Sequence, residues 1–463
     1  MLVGGGVPDT PNLAAQNKLL RDGSGGSSRT PTPTRIAKGM INMRILLKNL
    51  DIITNDNILK KYDILITDGI IGKIEKNIGE AADKTIACDG KTAFPAFFDM
   101  HVHLRDPGYT YKEDIISGTK AAMKGGFWGV CAMPNTDPVT DNVPTVQYII
   151  NKANSEGYAR VFPAASITKG LKGTELTEML ELKAHGAVAV SDDGKPVSDP
   201  NVMRQALIYA NMAKMPVISH SEDLSLVNGG VMNEGAVSDR IGLRGITRAA
   251  EEVSISKEII LAKTFNVPIH ITHISTKGSV ELIRQAKKEG VSVTCDTAPH
   301  YFSLTDMECE NYNTNAKMNP PLREADDVAA IIEGLKDGTI DAIATDHAPH
   351  CFDEKNAEFD NALNGIIGLE TSFSVTIDTL YHKNSFDLPT IARLMSYNPP
   401  TLLGIEPAKI EVAKTANITI CDLNQEWTPQ EDDFVSKSKN SPFLGKTLKG
   451  KVETVITNGT LRE

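Results

Sequence analysis

The stretch AFPAFFDMHVHLR, residues 93–105, decides how this chain is read. An apolar run from Ala93 to Met100 ends in His101-Val102-His103. Residues i and i+2 of a strand point to the same face, so both imidazoles reach one metal ion at the C-terminal end of that strand. Arg105 follows two residues later and sets a fixed cation beside them. Such a site suits hydrolysis or closure of an amide bond on an anionic substrate. A structural reading, with one histidine packed and one exposed, explains the tripeptide equally well. The choice falls to what lies downstream.

Past this stretch the pattern is strand, loop and helix, repeated. Strands are expected over 94–103, 128–133, 160–166, 187–191, 216–220, 267–274, 291–296 and 341–346, with helices such as 114–124, 174–185, 201–214 and 277–289 between them. Eight strands alternating with helices predict an α/β fold, a TIM-like (β/α)8 barrel. Residues 43–88 and 417–461 read differently, as short strands and turns such as KYDILITDGIIGKIEK. The two ends are expected to pair into one composite β-sandwich domain, residues 43–95 plus 405–463. The metal-dependent catalytic barrel is expected over 96–404. Residues 1–42 carry the low-complexity piece GSGGSSRTPTPT and are expected to be a leader, disordered or appended to the fold.

The net charge of -11 over 463 residues argues against nucleic acid and anionic membrane as partners. It leaves room for a small anionic substrate, because a local arginine or metal ion outweighs the global field. The six cysteines are scattered and form no CxxC pair. Reduced thiols in a cytoplasmic protein follow, rather than a disulfide framework or a zinc knuckle. No apolar run reaches membrane-spanning length.

In a barrel of this kind the chemistry sits where the strands end. Polar ligand-type residues should gather there, and they do: His101, His103 and Arg105; Asn135; Asp192 and Asp193; His220; His270 and His273; Asp346, His347 and His350. Zinc takes imidazole and carboxylate ligands, and catalytic zinc keeps a position open for water. Four histidines and two aspartates could hold two zinc ions sharing one carboxylate.

HVHLRDPG, MPNTDPVTD, SDDG, MNPPLR and ATDHAPH, in this order, resemble the bacterial dihydroorotases (type I, aspartate-bridged) of the amidohydrolase superfamily. The resemblance runs from about residue 43 to the last residue and includes the tail segment SKSKNSPF. It implies reversible, zinc-dependent cyclisation of N-carbamoyl-L-aspartate to L-dihydroorotate and water, a step of de novo pyrimidine biosynthesis, with two Zn2+ per subunit. His101, His103 and Asp346 would ligate the first zinc, and His220 and His273 the second. Asp193 would bridge them, with Asp192 the alternative. Many relatives bridge through a carboxylated lysine, and the fourth strand, AVAVSDDG, has none. Arg105, Asn135 and His350 would hold the substrate α-carboxylate. Asn319 and the backbone of Asn364 and Gly365 would contact the ring. A zinc-held hydroxide would be the nucleophile and Asp346 the general acid and base. A cytoplasmic homodimer is the default expectation for a soluble oligomer, with association to aspartate transcarbamoylase an expectation beside it.

Three positions depart from the family pattern: Asp106 for a glutamate, Asn364 for an aromatic residue and Asn417 for an aspartate. Some polar residues carry blander readings. His347 alternates with Asp346 and should point away from the metals, and His270 should face the other side from His273. His185 reads as a helix end and His382 as surface. His300 lines the site or sits in the core. Asp192 and Asn135 have turn-forming alternatives. The cysteines read as buried hydrophobes, with Cys351 partly accessible. The polar loop 352–363 is a candidate cover for the site. Two rival functions stand beside the first: another cyclic amidohydrolase, allantoinase- or dihydropyrimidinase-like, and a non-catalytic dihydroorotase-like partner of aspartate transcarbamoylase.

Overall fold

A computed structural model describes residues 43–462; the leader expected at 1–42 lies outside them. The apolar run that opens the barrel folds as two strands, not one. Thr92–Pro95 pairs antiparallel with Ile418–Trp427. After Ala96 the chain enters Phe97–Val102, which pairs in parallel with Phe127–Ala132. Every residue from Thr92 to Val102 is buried. A run buried on all sides has no period to mark a change of sheet, so the sequence predicts a single strand there.

Phe97–Val102, Phe127–Ala132, Arg160–Ala165 and Ala189–Val190 form one parallel sheet. Ile218–Ser219, Ile269–Ile271, Val293–Thr297 and Ala342–Ile343 form a second. Parallel bridges Val190–Val217 and Val102–His347 join the two on either side. Eight parallel strands thus close into the expected barrel. The intervening helices start where the sequence supplies caps. Asp114 accepts from Ser117 N at 2.7 Å to open Ile115–Lys124, and Thr276 accepts from Ser279 N at 3.0 Å to open Lys277–Lys288. The latter helix buries Val280, Ile283 and Ala286, one stripe at helical spacing, against the barrel.

The remaining strands form one eight-stranded sheet. Its order runs Thr460–Arg462, Leu448–Thr457, Ile418–Trp427, Thr92–Pro95, Arg44–Ile53, Ile58–Thr67, Ile70–Glu75, with Lys84–Ala87 on Arg44–Ile53. Both ends of the described chain therefore share a sheet. Two turns, Asp68-Gly69 and Asn458-Gly459, run through positive φ at both residues, as a tight hairpin requires. They also touch: a Cβ on Gly69 would lie 2.8 Å from Gly459 Cα. No helix among the described residues is long and apolar enough to cross a membrane.

Barrel and sheet meet at a buried aromatic cluster. The Phe97 ring lies 5.8 Å from Phe94, 5.7 Å from Phe127 and 5.4 Å from Phe373. Close-packed rings leave a void that neighbours cannot fill when one is truncated. Phe97→Ala is expected to cost about 3–5 kcal/mol of stability, read as a lowered urea midpoint. A shift of less than ~1 kcal/mol would mean the cluster does not hold the two parts together.

Candidate active site

Each candidate metal ligand sits at the C-terminal end of a barrel strand or just beyond it. His101 lies within Phe97–Val102 and His103 directly after it. Asp193 follows Ala189–Val190, His220 follows Ile218–Ser219, His273 follows Ile269–Ile271 and Asp346 follows Ala342–Ile343. Arg105, His273 and Asp346 hold φ values of 59°, 41° and 49°. Left-handed backbone costs a non-glycine residue about 1–2 kcal/mol, and strain of this kind gathers at functional sites. Here it turns the chain at the barrel rim, after strands that end at Val102, Ile271 and Ile343, earlier than the sequence suggests.

Four imidazoles converge on Asp193. Its Oδ1 lies 3.4 Å from His101 Nε2, His220 Nδ1 and His273 Nε2, and its Oδ2 3.4 Å from His103 Nε2. Two ligand groups result, His101/His103/Asp193 and Asp193/His220/His273, each with its donor atoms within 4.8 Å of one another. Asp346 Oδ1 stands 3.1 Å from His103 Nε2 and 3.5 Å from His101 Nε2. Asp192 turns away and accepts from the backbone N–H of Ile167 and Thr168 at 2.7 and 3.0 Å. Burial alone would push carboxyls up and imidazoles down. Asp193, joined by Asp346 and Asp296 at His101 and by Glu222 at His220, outweighs burial and raises His101 to about 9 and His220 to about 10. Asp193 and Asp346 are held low by the same imidazoles against their own burial, Asp346 at about 2. His101 Nε2, His220 Nε2 and His273 Nδ1 are buried without a hydrogen-bond partner. Imidazole and carboxylate donors so placed fit divalent metal ions.

A supporting layer orients the rings. His101 Nδ1 meets Thr272 Oγ1 at 2.7 Å, and Thr272 donates onward to Asp296 at 3.0 Å. Asp296 also accepts from His273 N at 2.7 Å and meets His270 Nε2 at 2.8 Å. His103 Nδ1 meets Asn135 Oδ1 at 2.8 Å. Glu222 accepts from Asn319 Nδ2 at 3.2 Å and lies 3.6 Å from His220 Nε2. Sequence reasoning missed Thr272, Asp296 and Glu222. Asp296 lies in the seventh strand near its C-terminal end, so the strand-end criterion reaches it. Glu222 stands two residues past His220.

The cluster opens on a cavity of about 240 Å³. His103, Arg105, Asn135, Asp193, His220, His273, Asn319, Asp346, His350, Asn364 and Gly365 line it, with His101 behind. Arg105 is half-buried, donates from Nε to Pro349 O at 3.2 Å and has its Nη2 3.4 Å from His350 Nε2. Among the described residues no carboxylate pairs with its guanidinium, a cation free for a ligand anion. His350 Nε2 donates to Asn364 O at 2.8 Å. Burial, then Arg105 and Lys112, hold His350 down at about 3, so it is neutral at physiological pH. Asn319 Oδ1 is buried and unpartnered.

The other residues fall outside the pocket. His347 accepts from Gly368 N at 3.1 Å, and His185 caps its helix at Glu181 O. His382 meets Leu423 O at 2.7 Å. His300 is buried beside Tyr301, and burial lowers it to about 4. Asp106 accepts from Lys152, Tyr148 Oη and Ile115 N, which anchors the loop after Arg105. Asn417 accepts from Asn458 N. Cys351 is half-buried.

Residues 90–279 match a family model described as dihydro-orotase-like. A dihydroorotase of Acetivibrio thermocellus is 53% identical over 412 residues, 89% of this chain and 94% of that protein. One of Geobacter metallireducens is 55% identical over 376 residues, 81% of this chain and 88% of that protein. Among solved structures, the L-hydantoinase of Arthrobacter aurescens superposes with a TM-score of 0.81 at 23% identity, covering 90% of this chain and 96% of that one. A dihydropyrimidinase of Brevibacillus agri gives 0.78 at 19% identity, covering 90% and 95%. These structures share the fold.

In protein stripped by a chelator, His101 and His220 hold protons far above the ordinary histidine value of 6.5. A raised folded-state pKa gives stability present below the unfolded value and lost as pH rises through the folded one. The thermal midpoint of stripped protein should therefore fall between pH 6.5 and about 10. Asp193→Asn should flatten that fall in differential scanning fluorimetry. An equal slope in the variant would show that Asp193 does not hold these protons.

Proposed function

The chain belongs to the dihydroorotase family, and from that membership we propose that it interconverts L-dihydroorotate and N-carbamoyl-L-aspartate. One observation carries the reading: two ligand groups share buried Asp193, and Asp346 faces the same cavity as the unpaired cation Arg105. His101, His103 and Asp346 would hold one zinc, His220 and His273 another, with Asp193 between them. When bound, the metal pair supplies Lewis-acid polarisation of the amide carbonyl and a water acidic enough to react near neutral pH.

Arg105, Asn135 and His350 hold the α-carboxylate, which cationic Arg105 and neutral His350 suit. Asn319 and the backbone at Asn364 and Gly365 orient the ring. In hydrolysis, water oxygen adds to the ring amide carbon. Asp346 takes its proton and passes it to the ring nitrogen as the C–N bond breaks. In cyclisation, the carbamoyl nitrogen attacks the side-chain carboxyl carbon and water leaves. That carboxyl must first be neutralised, so cyclisation should weaken and hydrolysis strengthen as pH rises from 6 to 9. The proposal extends to a cytoplasmic homodimer, checked by sedimentation, and to association with aspartate transcarbamoylase, checked by co-purification.

The deciding experiment follows both directions with purified protein, before and after chelation and zinc restoration. Turnover that disappears with the metal and returns with zinc is expected; zinc-loaded protein inert toward both compounds would overturn the proposal. Thr272→Val removes the oxygen that fixes the His101 tautomer. It should weaken metal affinity about 10–100-fold, measured by competition with a chromogenic chelator. Unchanged affinity would leave Thr272 no part in holding the site.

A further inference from the structure

We propose that Asn440, in the tail segment SKSKNSPF, is a positioning residue for the substrate-binding wall of the cavity. The inference rests on the reading that His350 and the 364–365 stretch touch substrate. Asn440 is 3% exposed, and every polar atom of its side chain is engaged. Oδ1 accepts from His350 N at 3.2 Å. Nδ2 donates to Ala348 O at 3.1 Å and to Gly365 O at 3.0 Å. Its own carbonyl accepts from Ile367 N at 2.9 Å. Ala348, His350 and Gly365 all line the cavity. One side chain therefore ties together two separate stretches of the wall.

Those stretches meet without slack. Ala348 N donates to Ile366 O at 2.7 Å. A Cβ added at Gly365, whose φ is +131°, would fall 2.7 Å from Ala348 Cβ. Past this contact no backbone–backbone hydrogen bond among the described residues joins 349–350 to 364–365; the His350 ring, through Asn364 O, and the Asn440 amide make the connection. Its shape is specific. Aspartate would set an oxygen against two carbonyls, serine has one donor where two are used, and glutamine reaches a methylene too far. Because Asn440 holds the His350 backbone and Asn364 O holds its Nε2, the amide fixes where this imidazole stands beside Arg105. The tail is fastened independently: Ser438 Oγ donates to Lys112 O at 2.8 Å, and Ser436 Oγ donates to buried Glu113. None of the Asn440 hydrogen bonds reaches a candidate metal ligand. Its loss should therefore loosen substrate binding and leave the metal centre intact.

Asn440→Ala and Asn440→Asp test this against Ser441→Ala, a control equally buried whose hydroxyl accepts only from Phe443 N. Kinetics with dihydroorotate, metal content and amide hydrogen exchange are measured on each. Both Asn440 variants are expected to raise KM about tenfold or more with kcat within about threefold. Metal content should stay at the parent level, and exchange should quicken over 347–350 and 364–367. Ser441→Ala should keep the parent KM. An unchanged KM with kcat and melting temperature falling together would overturn the proposal, as would failure of both Asn440 variants to fold while Ser441→Ala folds. Should zinc-loaded parent protein be inert toward dihydroorotate, the function reading fails by itself. Hydrogen exchange then decides the positioning role: quickened exchange in the two stretches supports it, and parent-like exchange overturns it.

Discussion

One buried negative charge, the Asp193 carboxylate, organises the mouth of the barrel. An isolated carboxylate in a protein interior is costly unless opposite charge or hydrogen bonds surround it. Among the described residues, imidazoles from the first, fifth and sixth strands face its two oxygens. Those imidazoles can satisfy it as cations, or can share it with metal ions while staying neutral. Either state needs the rings aimed inward, and this is what the left-handed turns at His273 and Asp346 and the Thr272–Asp296 relay accomplish. The geometry of the six candidate ligands follows from the need to place one charge.

The opposite wall obeys a different rule. Arg105 carries a half-buried cation that no carboxylate among the described residues pairs with, and His350 beside it is kept neutral by burial and by neighbouring cations. Two positive groups in contact would repel each other, so only one of the pair is charged. Under the proposed function a substrate carboxylate entering here would meet Arg105 and neutral donors, and its reacting amide would lie toward Asp193 and Asp346. Polarity thus divides the cavity into a binding half and a reacting half.

Much of this was legible in the sequence because chemistry and period coincide there. HVH, SDDG and ATDHAPH each place ligand-type residues where an apolar run stops, and the barrel brings His103, Asp193, Asp346 and His350 to one cavity. The change of sheet at Ala96 was not legible, since burial on every side erases periodicity. Nor were the supporting groups. Thr272 is an ordinary strand residue until His101 is set opposite it from 171 positions away. Asn440 acquires meaning only when the wall it ties, 75 to 92 positions earlier, is in place. Ligands announce themselves by residue type; their supports are defined by contacts that local sequence does not encode.

The split at Ala96 has a consequence for synthesis. A chain leaving the ribosome presents Thr92–Pro95 early, yet one of its sheet neighbours, Ile418–Trp427, is made only after the whole barrel. During that interval a buried-type strand stands with one edge unpaired, a template for a neighbouring nascent chain. Arg44–Ile53 covers the other edge as soon as both have emerged. The exposed side is shielded last, by the same late segment that delivers Asn440. The strand that covers the edge, the residue that ties the pocket wall and the last two strands of the sheet thus emerge one after another, within the final 46 residues from Ile418.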